Sequence, residues 1–184
     1  VYDGTPSADT PANNVLGNQV QMLLNSTYKK PDAIIIAIGT NNGINIDIDS
    51  ISSTYYSNGE KVKLNAVNRK TSSGAFRYAN EQLHNKFPDA KIFWCTPIYA
   101  AESRRSSADI NKFGNSLSIA CNYTSTPMIN TRECGIFGFN ETNNSNGLDL
   151  QDGLHPNKHG AEKIGRYNAT YFNMYMRGYK LSDY

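Results

Sequence analysis

The sequence predicts a three-layer α/β/α fold around a central parallel sheet. One observation is the run Asp32-Ala33-Ile34-Ile35-Ile36-Ala37-Ile38. It is apolar without alternation, as a strand buried on both faces of a parallel sheet should be. Lys91-Ile92-Phe93-Trp94-Cys95-Thr96-Pro97 repeats the pattern, and Pro127-Met128-Ile129-Asn130 is a shorter third strand. The other observation is that each run follows a segment with apolar residues at helical spacing, and alternating helix and buried strand implies helices on both sheet faces.

In chain order, Leu16, Val20, Leu23 and Leu24 predict a helix before the first strand. Phe76, Ala79, Leu83 and Phe87 predict one before the second strand, and Ile110, Phe113, Leu117 and Cys121 one before the third. Ile164, Tyr167, Tyr171 and Met174 mark a last helix, with Asn157 as its cap and Gly178 as its stop. Tyr167, Tyr171, Tyr175 and Tyr179 recur every four residues on it, a stripe that suits core or interface packing. Residues 43–73 break the rhythm as a polar insertion rich in Ser, Asn and Tyr. It reads as surface decoration, with a short hairpin at Ser57-Asn58-Gly59-Glu60, or as a loop that shapes a substrate site. Its place directly after a strand's carboxyl end favours the second reading, because open α/β sheets bind ligands there.

With 184 residues the chain is expected to form a single domain over 1–184. Its net charge of +2 is spread along the sequence, without the basic stripe that nucleic acid would call for. No apolar stretch approaches the ~20 residues of a membrane span, and Val1-Tyr2-Asp3-Gly4 lacks the charged and apolar regions of a signal peptide. The expected partner is a small molecule. A secreted or periplasmic setting is compatible, and nothing in the residues selects a compartment. Cys95, Cys121 and Cys134 have no Cys-x-x-Cys spacing and read as free thiols. In so Asn-rich a chain, the glycosylation-like triplets arise mostly by chance.

Two motifs carry chemistry. Asp152-Gly153-Leu154-His155-Pro156 sets an acid and an imidazole three residues apart in a turn that leads into a helix. Such a turn can face one ring nitrogen to the carboxylate and the other to a hydroxyl, as a serine hydrolase's general base requires. Gly39-Thr40-Asn41-Asn42 ends the first buried strand, where Gly permits a sharp turn and an Asn amide can donate to a developing oxyanion. Alone, Gly-x-Asn reads first as turn chemistry. His159 adds a metal-like spacing to Asp152 and His155, but Pro156 and Asn157 interrupt any helix joining the histidines. A solvated His in a helix's first turn fits better than a metal ligand.

Taken together and in this order, the motifs resemble the SGNH (GDSL-like) hydrolase family. Gly39-Thr40-Asn41-Asn42 matches its Gly-x-Asn-Asp block with Asn42 in place of Asp, and Asp152-Gly153-Leu154-His155-Pro156 matches its Asp-x-x-His-Pro block in full. The resemblance implies a flavodoxin-like strand order and a serine esterase that needs no cofactor or metal. His155 would be the general base, Asp152 its orienting carboxylate, and Asn41 with the Gly4 backbone N–H the oxyanion donors. The nucleophile is the departure, because no Gly-Asp-Ser block precedes Gly4. Gly114-Asn115-Ser116 falls inside a helical run, and Ser7 lies in the wrong block, so neither serine suits the role. The expectation is therefore an N-terminally incomplete domain lacking the family's first strand, which a further segment or a partner would supply together with the serine. The polar insertion and the absence of a recognisable apolar lid or patch favour short-acyl carbohydrate esters. The other reading is an inactive domain of this type that binds carbohydrate or protein.

Overall fold

The computed structural model describes residues 15–27, 30–40, 50–142 and 147–177. Along the chain run α1 (Leu16–Leu24), β1 (Ala33–Ala37), α2 (Ile51–Tyr55), β2 (Tyr56–Ser57), β3 (Glu60–Lys61), α3 (Ser72–Lys86), β4 (Lys91–Cys95), α4 (Ser107–Tyr123), β5 (Met128–Ile129) and α5 (Lys158–Met176), with short 3₁₀ turns between. β1, β4 and β5 form a parallel sheet in that order, with Ile36 opposite Trp94 and Cys95 opposite Ile129. Alternation along the strands divides the core between two faces. Ile34, Ile36, Ile92 and Trp94 meet α1, α3 and α4. Phe93, Cys95 and Ile129 meet the half-buried tyrosines of α5, with Phe172 5.2 Å from Phe93 between ring centres. The result is the expected α/β/α layering.

Three helices begin on side-chain caps. Thr71, Ser106 and Asn157 accept from the N–H of Gly74, Asp109 and Gly160 at 3.1, 3.1 and 3.0 Å. Each satisfies one of the backbone donors that a helix start leaves unpaired. Asn157 is the cap the sequence predicts, whereas Gly178 and Tyr179 lie outside the described residues. Met174 departs from expectation. It is 58% exposed, because the buried stripe of α5 continues through Phe172 and Met176 instead.

Two corrections concern β1 and the polar stretch. β1 is not buried on both faces: Ile34 and Ile36 are in the core, but Ile35 is 55% exposed. Among the described residues β1 pairs only with β4, so its other edge and the Ile35 face lack a partner. The described part of 43–73 folds into α2 and the β2–β3 hairpin, whose Asn58 and Gly59 turn through φ of 51° and 81°. It packs on α3 and α4, and Tyr55 stacks on Tyr123 at the end of α4, near the strands' amino-terminal edge. That is the end opposite His155, so this part does not shape the site at the carboxyl edge. The anchor is Arg77, 1% exposed, which bonds the carbonyls of Thr54 and Val62 and the carboxylate of Glu81 and lies over the Tyr55 ring. A buried guanidinium satisfied on several sides orders a segment that has no apolar periodicity.

Candidate active site

The Asp152 turn stands between two backbone closures. The N–H of Gln151 bonds the His155 carbonyl and that of Asn157 the Asp149 carbonyl, both at 2.9 Å. Gly153 takes φ of +77°, and a Cβ there would come within 2.6 Å of the Thr142 carbonyl oxygen, so the turn requires glycine. Inside it Asp152 Oδ1 accepts from the N–H of Leu154 at 3.0 Å and of His155 at 2.7 Å, while Oδ2 lies 2.7 Å from His155 Nδ1. The His155 backbone N–H, then its ring, hold the Asp152 carboxyl well below the usual carboxylate range. A carboxylate at Nδ1 makes that nitrogen the proton carrier and leaves Nε2 as an acceptor. The two sequence-predicted residues are thus brought together as an oriented imidazole.

His155 opens onto a cavity of about 300 Å³ at the carboxyl ends of the strands, lined in part by Ile38, Thr40, Thr96, Ile98 and Leu154. A larger hollow of about 470 Å³ opens among Tyr55, His84, Lys91 and Pro127 at the other end of the sheet. Size would favour the second, but the first is lined by His155, whose ring bonds Asp152, and it lies where α/β sheets place ligands. On the cavity's far side the chain turns at Gly39, with φ of +117°, where a Cβ would overlap the Phe113 ring. Thr40 is the last described residue there, and its carbonyl accepts from Arg105 Nε at 2.8 Å. Gly4, Ser7, Asn41 and Asn42 lie outside the described residues.

Sequence reasoning missed Asp149 and Glu141. Asp149 is 3% exposed; its carboxylate lies 2.7 Å from Lys163 Nζ and 2.8 Å from His159 Nδ1. His159 approaches this carboxylate while 63% of its side chain stays exposed. Buried Glu141 accepts from the N–H of Asp149 at 2.8 Å and of Leu150 at 3.1 Å, fixing the chain that leads into the Asp152 turn. The available signal was the acid inside Leu148-Asp149-Leu150, an expensive place for a charge without partners. Among the described residues no group of three or more His, Cys, Asp and Glu side chains could hold a metal ion.

Ser116 lies within α4, as the sequence predicts. Its Gly-Asn-Ser setting has a packing origin: a Cβ on Gly114 would come within 2.7 Å of the Arg132 guanidinium, which donates to Asn115 Oδ1 at 3.0 Å. Cys95, Cys121 and Cys134 are free and buried, and burial raises all three thiols. The expected lack of an apolar patch is corrected by Phe137 and Phe139, 62% and 82% exposed with ring centres 6.0 Å apart. Gly138 between them packs on the Ala100 backbone, one residue before the Ala101 N–H that bonds the Gly153 carbonyl.

The sequence model of the GDSL-like lipase/acylhydrolase family matches residues 3–168. This chain belongs to that family. Structures with the same fold include a protein described as a possible lipase from Chitinophaga pinensis DSM 2588, with 15% identity, 89% of this chain and 80% of that one covered, and a TM-score of 0.61. A lipase/acylhydrolase from Enterococcus faecalis aligns at 18% identity over 91% and 73% of the chains, with a TM-score of 0.52. A catalytic mutant of an acetylxylan esterase from Geobacillus stearothermophilus aligns at 14% identity over 84% and 66%, also at 0.52. No curated protein matches the sequence. Among the described residues the three-stranded parallel sheet flanked by helices matches the fold of these structures, and membership of the GDSL-like acylhydrolase family supports an esterase or acylhydrolase function. No helix among the described residues is long and apolar enough to cross a membrane.

Proposed function

We propose that the protein is a serine esterase in which His155 is the general base and Asp152 orients it. The observation that carries this reading is the 2.7 Å contact between His155 Nδ1 and Asp152 Oδ2, with the ring open to a cavity at the sheet's carboxyl edge. His155 Nε2 takes the serine hydroxyl proton as Oγ attacks the ester carbonyl carbon. The tetrahedral intermediate then collapses, the bond to the alcohol oxygen breaks, and His155 returns the proton to that oxygen. Water, activated by the same nitrogen, hydrolyses the acyl-enzyme and regenerates the serine. Asp152 stays ionised and stabilises the imidazolium, while the Asn41 amide and the Gly4 N–H receive the oxyanion.

The serine belongs to a segment that adds a strand beside β1. The exposed Ile35 supports such a neighbour, because apolar surface on a strand favours addition of another, and among the described residues β1 pairs only with β4. The substrate class is a short-acyl ester of a carbohydrate. The cavity of about 300 Å³, at the small end of ligand pockets, is consistent with a compact acyl group.

The second reading is an inactive domain of this fold that binds carbohydrate or protein. Hydrolysis of a short-chain aryl ester by the full-length protein separates the two. The enzyme reading expects turnover that His155→Ala abolishes. Absence of turnover by a protein shown to be folded supports the binding module instead.

A further inference from the structure

The turn at residues 101–105 touches both halves of the candidate site. At one end the Ala101 N–H donates to the Gly153 carbonyl at 2.8 Å, inside the turn that carries Asp152 and His155. Arg104 Nη2 lies 4.0 Å from Asp152 Oδ2. At the other end Arg105, half-buried, donates from Nε to the Thr40 carbonyl at 2.8 Å and from Nη1 to the Arg104 carbonyl at 2.7 Å. The turn is closed on itself, since the N–H groups of Arg104 and Arg105 both donate to the Ala101 carbonyl, at 2.7 and 3.0 Å. One short, internally bonded segment thus ties the acid–imidazole turn to the end of the Gly39 turn.

The Thr40 carbonyl belongs to the planar peptide unit that also contains the N–H of Asn41. A bond to that oxygen therefore restrains the carbonyl plane of Thr40, the last described residue before Asn41. Arg105 suits this role because its guanidinium is planar, always charged and held by two carbonyls at once, so little freedom remains in the donor. A lysine could still donate to the Thr40 oxygen but would lack the second anchor.

We infer that Arg105 is a positioning residue for the oxyanion side of the reaction, fixing the Thr40 turn relative to the Asp152–His155 turn. The inference rests on the esterase reading. Oxyanion donors and base act on opposite sides of one carbonyl, and misplacement by about 1 Å costs on the order of 100-fold in rate. Arg105 acts through Thr40 and not on the substrate, so its removal should lower kcat and spare KM.

The test uses the full-length protein and a short-chain aryl ester, with Arg105→Ala, Arg105→Lys and His155→Ala compared with the natural protein. Amide hydrogen exchange is followed in the peptide spanning residues 38–42. Arg105→Ala is expected to lower kcat by roughly 10- to 100-fold with KM within about twofold, and to speed exchange in that peptide. Arg105→Lys is expected to recover part of both, and it serves as the folded variant if the alanine form is unstable. Unchanged exchange at 38–42 overturns the inference, as does an unchanged kcat or a loss confined to KM. His155→Ala keeps the two proposals apart. Equal rates with and without His155 defeat the esterase reading, whereas exchange at 38–42 still decides whether Arg105 holds the turn.

Discussion

Asp152 holds His155 at two points: one carboxylate oxygen accepts the His155 backbone N–H at 2.7 Å and the other lies 2.7 Å from ring atom Nδ1. The backbone bond fixes the base of the side chain and the ring bond fixes its tautomer. In Asp152→Asn an amide oxygen can still accept the backbone N–H, but the group facing Nδ1 is neutral and cannot stabilise an imidazolium. Steady-state kinetics on the full-length protein should show kcat lowered by roughly 10³- to 10⁴-fold, with the fold unchanged by circular dichroism. A loss below about tenfold would remove Asp152 from the mechanism.

Because these bonds depress the Asp152 pKa, its carboxylate persists into acid. A carboxyl whose folded pKa is lowered contributes stability that is present above its unfolded value, ~3.9, and is lost as pH falls through the lower folded value. Carboxyl-carbon NMR should therefore place the Asp152 midpoint below ~3.9 in the folded protein. A midpoint at or above that value would mean that the bonds from Leu154 and His155 do not persist in solution.

Asp149 and His159 should differ sharply although Asp149 Oδ1 and His159 Nδ1 lie 2.8 Å apart. Asp149→Ala leaves Lys163 and the surrounding turn without their buried partner, and chemical denaturation should show a loss of about 3 kcal/mol. His159→Ala removes a side chain that is 63% exposed and should cost less than about 1 kcal/mol. Comparable losses would mean that His159 contributes more than its exposure allows.

Gly39→Ala should be destabilising on two counts, the positive φ and overlap with the Phe113 ring. Strain of about 1–2 kcal/mol and crowding of about 1–3 kcal/mol give an expected loss near 3 kcal/mol. A smaller side chain at position 113 relieves only the crowding, so the substitution should cost less in a Phe113→Leu background, and the double-mutant cycle measures the difference. Equal costs in both backgrounds would show that ring overlap contributes nothing.

Much of this architecture was legible because it is encoded locally. The apolar spacing from Ile110 to Cys121 and from Phe76 to Leu83 marks helices whose buried faces are those same residues. Asn58-Gly59 announces a hairpin because both residues tolerate positive φ. The Asp152–His155 pair was legible for the same reason, being three residues apart in one turn. What escaped depends on contacts distant in sequence. Arg77 orders the Ser/Asn/Tyr-rich stretch through carbonyls at Thr54 and Val62, and no pattern inside that stretch reveals the anchor. The Ile35 side chain reads as core from composition, yet its exposure depends on what lies beside β1. Asp149 finds Lys163 and His159 only once the intervening turn has folded back, and Arg105 reaches Thr40 across 65 residues.

The proposed function makes His155, oriented by Asp152, the base of an ester hydrolase. The most direct measurement is the hydrolysis rate of a short-chain aryl ester by the full-length protein beside its His155→Ala variant, with both shown to be folded. Turnover by the natural protein and a loss of at least about 10³-fold in the variant are expected. Equal rates would contradict it.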